Sequence, residues 1–295
     1  MKKRILLLGF NKSQIILLNK KFGKNIFLTS LKDFNKANAL ISFKRYEFEK
    51  IINNNLISKF SCLEWIHLPG AGIENYLFFK ELNKTKFTNG KIIQGNQVAD
   101  HAIALLLSLT RKISFISKYG QDKPFDFRPI ELNNKRALIV GFGGIGKCIA
   151  DRAYGFGLKL DAISYEFDHK NRIIENFYLL ENLNEAVSKA DVIFISAPLT
   201  NKTENLFNSK IFKKMKKNSI LINISRGKIV CNDSLIKALN EKKLLGVGLD
   251  VTYPETLNKN HKLHKMDNVI ITPHIAGISQ NFTNSTLELI IKNIN

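Results

Sequence analysis

Arg136-Ala137-Leu138-Ile139-Val140-Gly141-Phe142-Gly143-Gly144-Ile145-Gly146 is the stretch on which the fold turns. A short apolar run leads into G-x-G-x-x-G, and a segment of helical period follows over 145–156. In a strand–turn–helix context this is the dinucleotide fingerprint, whereas the glycines alone would be a weak signal. Gly141 permits the tight turn, Gly143 lets a pyrophosphate approach the backbone, and Gly146 lets helix and strand pack closely. Gly144 and Ile145 open the helix, whose first N–H groups and positive dipole end face the phosphates.

Outward from this stretch, short apolar runs alternate with helical segments, the pattern of βαβ units and a parallel sheet. Downstream, strands are expected at 136–140, 159–164, 191–196, 219–224, 246–250 and 269–272, with helices at 145–156, 183–189, 209–215 and 233–241. Asn232 is the expected N-cap of the last of these helices. Upstream, the expected strands are 4–10, 25–29, 39–43, 63–68 and 91–94, with a helical stretch at 74–82. Residues 101–117 are apolar almost all round and read as a helix buried between domains or subunits. Residues 120–129, with Pro124 and Pro129, read as a loop.

Composition bounds the rest. The 295 residues carry 45 Lys+Arg and 25 Asp+Glu, a formal charge of +20, with 44% hydrophobic and 24% charged residues. That is an ordinary globular composition of about two domains. Asn and Ile are abundant alongside Lys, so the positive charge reads mainly as residue-usage bias rather than a partner surface. No nucleic-acid partner and no membrane span is expected. The apolar run at the N-terminus is about six residues, too short for a signal peptide and better read as a buried strand. Cys62, Cys148 and Cys231 lack the spacing of a zinc site, so no metal is expected, and a reduced cytoplasmic chain is the simplest reading.

Three segments beyond strand ends carry chemistry: Asn223-Ile224-Ser225-Arg226-Gly227, Asp250-Val251-Thr252-Tyr253-Pro254-Glu255 and Ile271-Thr272-Pro273-His274-Ile275-Ala276-Gly277. In an open α/β sheet the strand carboxyl ends converge on the ligand crevice. Arg226, Glu255 and His274 are the groups that carbonyl reduction of an anionic acid requires. They supply a fork for the carboxylate, a proton donor for the forming alkoxide, and a carboxylate that orients the donor. At the end of the second fingerprint strand, where an acidic residue normally binds the ribose 2′-hydroxyl, stands Ser164, followed by Tyr165 and Glu166. The cofactor is therefore NAD or NADP, with Glu166 tilting the expectation to NAD by repelling a 2′-phosphate.

These segments, together with Ser196-Ala197-Pro198-Leu199-Thr200 and Leu249-Asp250-Val251, resemble the D-isomer-specific 2-hydroxyacid dehydrogenases from about Trp65 to Gly277. The resemblance implies a Rossmann domain, 97–274, inserted into a smaller flavodoxin-like α/β substrate domain formed by 1–96 and 275–295. It implies catalytic roles for Arg226, Glu255 and His274, and a carboxylate clasp by Gly70, Ala71 and Gly72 together with Arg226. It further implies cofactor contacts at Pro198, Ile224, Ser225 and, through the nicotinamide amide, Asp250, in addition to Ser164 and the glycine loop. A homodimer reducing a small 2-oxoacid, glyoxylate or hydroxypyruvate among them, is the implied protein; the rival is a nucleotide-sensing corepressor on the same fold. His101 matches the family's helix start and reads as structural, and His67, His169, His261 and His264 read as structural or solvated. Ser164, Ser196 (where many members have His) and Thr256 (where Pro is usual) depart from the pattern.

Overall fold

The computed structural model describes residues 3–60, 62–70, 72, 76, 82, 84–120, 128–167 and 171–295. The chain divides into two compact units, Met1–Gln94 with Ser279–Asn295, and Gly95–Ile278.

In the smaller unit the described strands are β1 (Ile5–Leu8), β2 (Phe27–Leu28), β3 (Ala39–Ser42), β4 (Trp65–Leu68) and β5 (Lys86–Asn89). They form a parallel sheet in the order β2-β1-β3-β4-β5, the flavodoxin-like arrangement. Side chains alternate between its two faces. Leu6, Leu40, Ile66 and Leu68 meet Phe48 and Ile51 of α2 (Arg45–Asn53) on one face. Ile5, Leu7 and Ile41 meet Leu18 of α1 (Lys12–Phe22) and Ile290 on the other.

The strand expected at 91–94 is a short 3₁₀ turn, and the edge strand lies earlier, at Lys86–Asn89. The pair Ile92-Ile93 drew the expectation. Gly90 follows that strand, and only glycine fits there, because a Cβ would stand 1.9 Å from the Pro69 carbonyl oxygen. Of the helical stretch 74–82, only Tyr76 and Leu82 are described, and of the loop 120–129 residues 121–127 lie outside the described residues, as does His169.

The larger unit contains α3 (Gly95–Thr110), α4 (Ile113–Tyr119), β6 (Arg136–Val140), α5 (Gly144–Gly155), β7 (Lys159–Ile163), β8 (Ile174–Tyr178), α6 (Leu183–Lys189), β9 (Val192–Ile195), α7 (Ser209–Lys214), β10 (Ser219–Asn223), α8 (Asn232–Asn240), β11 (Leu244–Leu249) and β12 (Val269–Ile271). Its parallel sheet runs β12-β11-β10-β9-β6-β7-β8. Counted from β6, that is the Rossmann order 3-2-1-4-5-6 with one strand added at the far edge. The switch point falls between β6 and β9, beside the glycine loop. Leu138, Ile139 and Val140 of β6 are fully buried, each contributing about 1.5–3 kcal/mol of burial energy.

Three expectations are corrected here. The sheet has a seventh strand, β8, where six strands were expected. Its Glu175 and Asn176 are exposed and disguise an edge strand; they answer Arg136 and Asp161 across the sheet rather than the core. The helix at 101–117 starts earlier, at Gly95, and breaks at Lys112, which adopts a left-handed φ of 57°. On the face toward the sheet, Gly246 and Gly248 of β11 have no side chains, and Leu109 and Leu105 of α3 pack into the space left, whereas Ile113 is exposed. Finally, Cys231 rather than Asn232 precedes α8; Asn232 is its first residue, and its amide donates to the Tyr253 carbonyl. α9 (Phe282–Ile294) closes the chain back in the smaller unit, where Ile290 is fully buried.

Candidate active site

The glycine loop owes its shape to steric demands. Gly141 has φ 99°, and a Cβ there would lie 2.5 Å from the Ala197 backbone; one at Gly146 would lie 2.3 Å from the Gly141 carbonyl oxygen. Gly144, by contrast, faces open space, and α5 begins with no side-chain cap. Its first N–H groups are thus left for a ligand. The loop borders a cleft of about 310 Å³ whose other walls include Ser164 to Glu166 beyond β7 and Ala197 and Pro198 beyond β9. Such a cradle, open at a helix start and barred to side chains, fits a pyrophosphate.

Polar side chains fix the walls. Ser196 Oγ donates to the Gly141 carbonyl (2.7 Å), and Ser225 Oγ donates to the Ala197 carbonyl. Thr203, nearly buried, donates to the Pro198 carbonyl (2.7 Å) and accepts from Thr200 N (2.8 Å). Ser164 Oγ accepts from Glu166 N (3.3 Å), so both residues stand at the cleft. Gly141, Gly143, Ser164 and Pro198 line this space; Ile224, Ser225 and Asp250 lie at the neighbouring strand ends.

At the end of β10, buried Asn223 accepts from Ser225 N (3.1 Å) and donates to the Arg226 carbonyl (3.0 Å). That closes an Asx turn presenting Arg226, whose guanidinium donates to the Ser225 carbonyl (2.7 Å). Gly227 then runs against Thr252, where Thr252 Oγ1 donates to the carbonyls of Pro254 (2.7 Å) and Glu255 (3.1 Å).

Beyond β12, His274 sits in the left-handed region at φ 53°. Such a conformation costs a non-glycine residue of order 1 kcal/mol or more unless the surroundings impose it. Here they do: His274 N donates to the Asp250 carbonyl oxygen (2.9 Å). Its side-chain Nδ1 is hydrogen-bonded to Glu255 Oε1. A carboxylate only accepts, so Nδ1 carries a hydrogen and Nε2 is the nitrogen left to give or take a proton. Both side chains are about half exposed, at 44% and 60%, so the pair orients more than it stabilises.

The structure therefore brings Glu255 and His274 into contact and holds Arg226 in the same unit. Gly70 and Gly72 belong to the smaller unit, where the Gly72 carbonyl accepts from Arg45 (3.1 Å); Ala71 lies outside the described residues. Asn223, Thr203 and Thr272 were missed by sequence reasoning. For Asn223 and Thr272 the only signal was a polar residue at or just past an apolar strand, and Thr203, in a turn well beyond β9, gave none. Among the described residues no cluster of His, Cys, Asp and Glu suits a metal ion, and no helix is long and apolar enough to cross a membrane.

Residues 103–276 match the family model for the NAD-binding domain of D-isomer-specific 2-hydroxyacid dehydrogenases. The chain belongs to this dehydrogenase family. It is 36% identical over 218 residues to the glyoxylate reductase of Pyrococcus furiosus, an alignment covering 70% of this chain and 64% of that protein. The chain thus spans under two thirds of the curated reductases it matches. The apo D-mandelate dehydrogenase of Rhodotorula graminis superimposes with a TM-score of 0.85 at 25% identity, covering 100% of this chain and 94% of that one. The Aquifex aeolicus D-lactate dehydrogenase, solved with NAD and lactic acid, gives a TM-score of 0.78 at 24% identity, covering 99% and 94%, a likeness of fold. The two-unit α/β architecture expected from the motifs is the architecture of the family.

Proposed function

We propose that the protein is an NAD(P)-dependent oxidoreductase that moves a hydride between nicotinamide and a small 2-oxoacid or D-2-hydroxyacid. The observation that carries this is the Glu255–His274 pair, set beyond the strand ends of a unit that also holds the glycine loop and Arg226. Gly141, Gly143, Gly144, Ile145 and Gly146 hold the pyrophosphate, Ser164 faces the adenosine ribose, and Pro198, Ile224 and Ser225 line the cofactor. Asp250 keeps a lone pair on Oδ2 for the nicotinamide amide. A bound nicotinamide supplies the hydride.

Arg226 fixes the substrate carboxylate by a bidentate fork. His274 Nε2 donates a proton to the carbonyl oxygen as it gains charge, and Glu255 stabilises the imidazolium and holds the ring in register. General acid catalysis of this kind contributes roughly 10²–10⁴-fold. Residues 97–274 act as the cofactor domain, and 1–96 with 275–295 as the substrate domain. Glu166 beside Ser164 favours NAD over NADP. Glyoxylate as the small substrate accords with the names of the matched reductases, and hydroxypyruvate and a cytoplasmic homodimer belong to the same reading; no observation favours the corepressor reading.

The test follows absorbance of NADH or NADPH with glyoxylate, hydroxypyruvate and pyruvate. Oxidation with at least one supports the proposal, and none with any small 2-oxoacid overturns it.

A further inference from the structure

Asp250, 1% exposed, holds the segment after β12 through several bonds. Its carboxylate accepts from Thr272 Oγ1 (2.6 Å), Ile275 N (3.0 Å) and Ala276 N (3.0 Å). Its main-chain carbonyl accepts from His274 N (2.9 Å), so the left-handed turn at His274 is clamped on both sides. His101 of α3 reaches the same cluster: its Nε2 is 2.8 Å from Thr272 Oγ1 and 3.4 Å from Asp250 Oδ1.

The direction of these bonds follows from the donors present. A carboxylate only accepts, and a threonine hydroxyl has one hydrogen. That hydrogen goes to Asp250, so Thr272 Oγ1 must accept from His101 Nε2–H. A directed chain results, from His101 through Thr272 to Asp250 and on to the backbone that carries His274. Without its first donor, the Thr272 hydroxyl is free to turn, and a buried carboxylate loses a fixed partner that its burial demands.

We propose that His101 is a positioning residue for His274, acting through Thr272 and Asp250 without touching substrate. Its effect on turnover rests on the reading of His274 as the proton donor, whereas its effect on the imidazole does not. The relay gives His101 more than the structural role expected from its place near the start of a helix.

The experiment uses the full chain labelled with nitrogen-15 histidine, with His274 assigned from the spectrum of His274→Gln. Proton–nitrogen correlations of its imidazole are recorded beside steady-state kinetics for His101→Ala, Thr272→Val and His101→Gln. His101→Ala and Thr272→Val are expected to move the His274 resonances and to lower kcat by about 10-fold, short of the ~10² that a 1 Å misplacement can cost. His101→Gln, whose amide donates at similar reach, restores both readouts. If His101→Ala does not fold, Thr272→Val decides, since it keeps the branched shape and removes only the hydroxyl. His274 resonances that match the parent protein in the folded variants overturn the proposal, as does a His101→Gln protein as impaired as His101→Ala. A parent protein inert toward every oxoacid would defeat the functional reading alone, and the resonances would still decide this one.

Discussion

Gly227 lies against Thr252 so closely that a Cβ on it would stand 2.0 Å from the Thr252 carbonyl carbon and oxygen. Neither segment can yield cheaply, because one leads from Arg226 and the other leads to Glu255. Gly227→Ala is therefore expected to spread the two segments, with a loss of kcat/KM of about 10² or more, as for a 1 Å misplacement. Steady-state kinetics check this; near-parent activity would show that the close approach is not needed to set Arg226 and Glu255.

His274→Ala should lose roughly 10²–10⁴ in turnover while NADH still binds, as judged by fluorescence titration. Glu255→Gln keeps the shape but removes the charge facing Nδ1, so it should lower turnover by a smaller factor within that range. Full activity in His274→Ala would remove His274 from the chemistry.

Ser164→Asp places a carboxylate at the end of β7, on the cleft wall where the proposed function puts the ribose. A carboxylate accepts from the 2′-hydroxyl of NADH and repels the 2′-phosphate of NADPH. The ratio of kcat/KM for NADH over NADPH should rise about 10-fold or more, equivalent to ~1.4 kcal/mol. An unchanged ratio would place the ribose elsewhere.

His67 on β4 is fully buried, and burial lowers its pKa to about 4. Asn293 Nδ2, which only donates, lies 3.4 Å from His67 Nδ1, so Nδ1 is an acceptor, Thr88 Oγ1 (2.8 Å) donates to it as well, and the ring's own hydrogen is on Nε2. Nε2 has no hydrogen-bond partner among the described residues. In the unfolded chain the imidazole takes a proton near its ordinary value of about 6.5, whereas the folded protein refuses it until about 4. Stability is therefore present above pH ~6.5 and lost progressively as pH falls toward 4, by up to ~3 kcal/mol. Urea titrations at neutral and mildly acidic pH should show that loss in the parent protein and a flatter profile in His67→Gln.

The larger unit was the more legible half of the chain, for physical reasons. β6, β9 and β10 are buried on both faces and read as unbroken apolar runs, so their bounds fall within a residue or so of expectation. Edge strands carry no such run: β5 has Phe87 as its one large apolar residue, and β8 presents Glu175 and Asn176 to solvent. Arg226, Glu255 and His274 were visible because chemistry demands those residue types beyond strand ends. The contacts on Asp250 and the His101–Thr272 bond were not, because they join residues as distant in the chain as His101 and Thr272.

The cleft exists only where Gly141 meets Ala197, and the Ser196–Gly141 bond that closes it joins residues 55 apart in the chain. No local segment can therefore build the binding surface on its own. Closing a loop of that length costs entropy before any contact rewards it, and such long-range parallel pairings are slow to form. Recovery of nucleotide binding during refolding should thus trail the recovery of helical signal, because the pocket comes into being with the β6–β9 pairing.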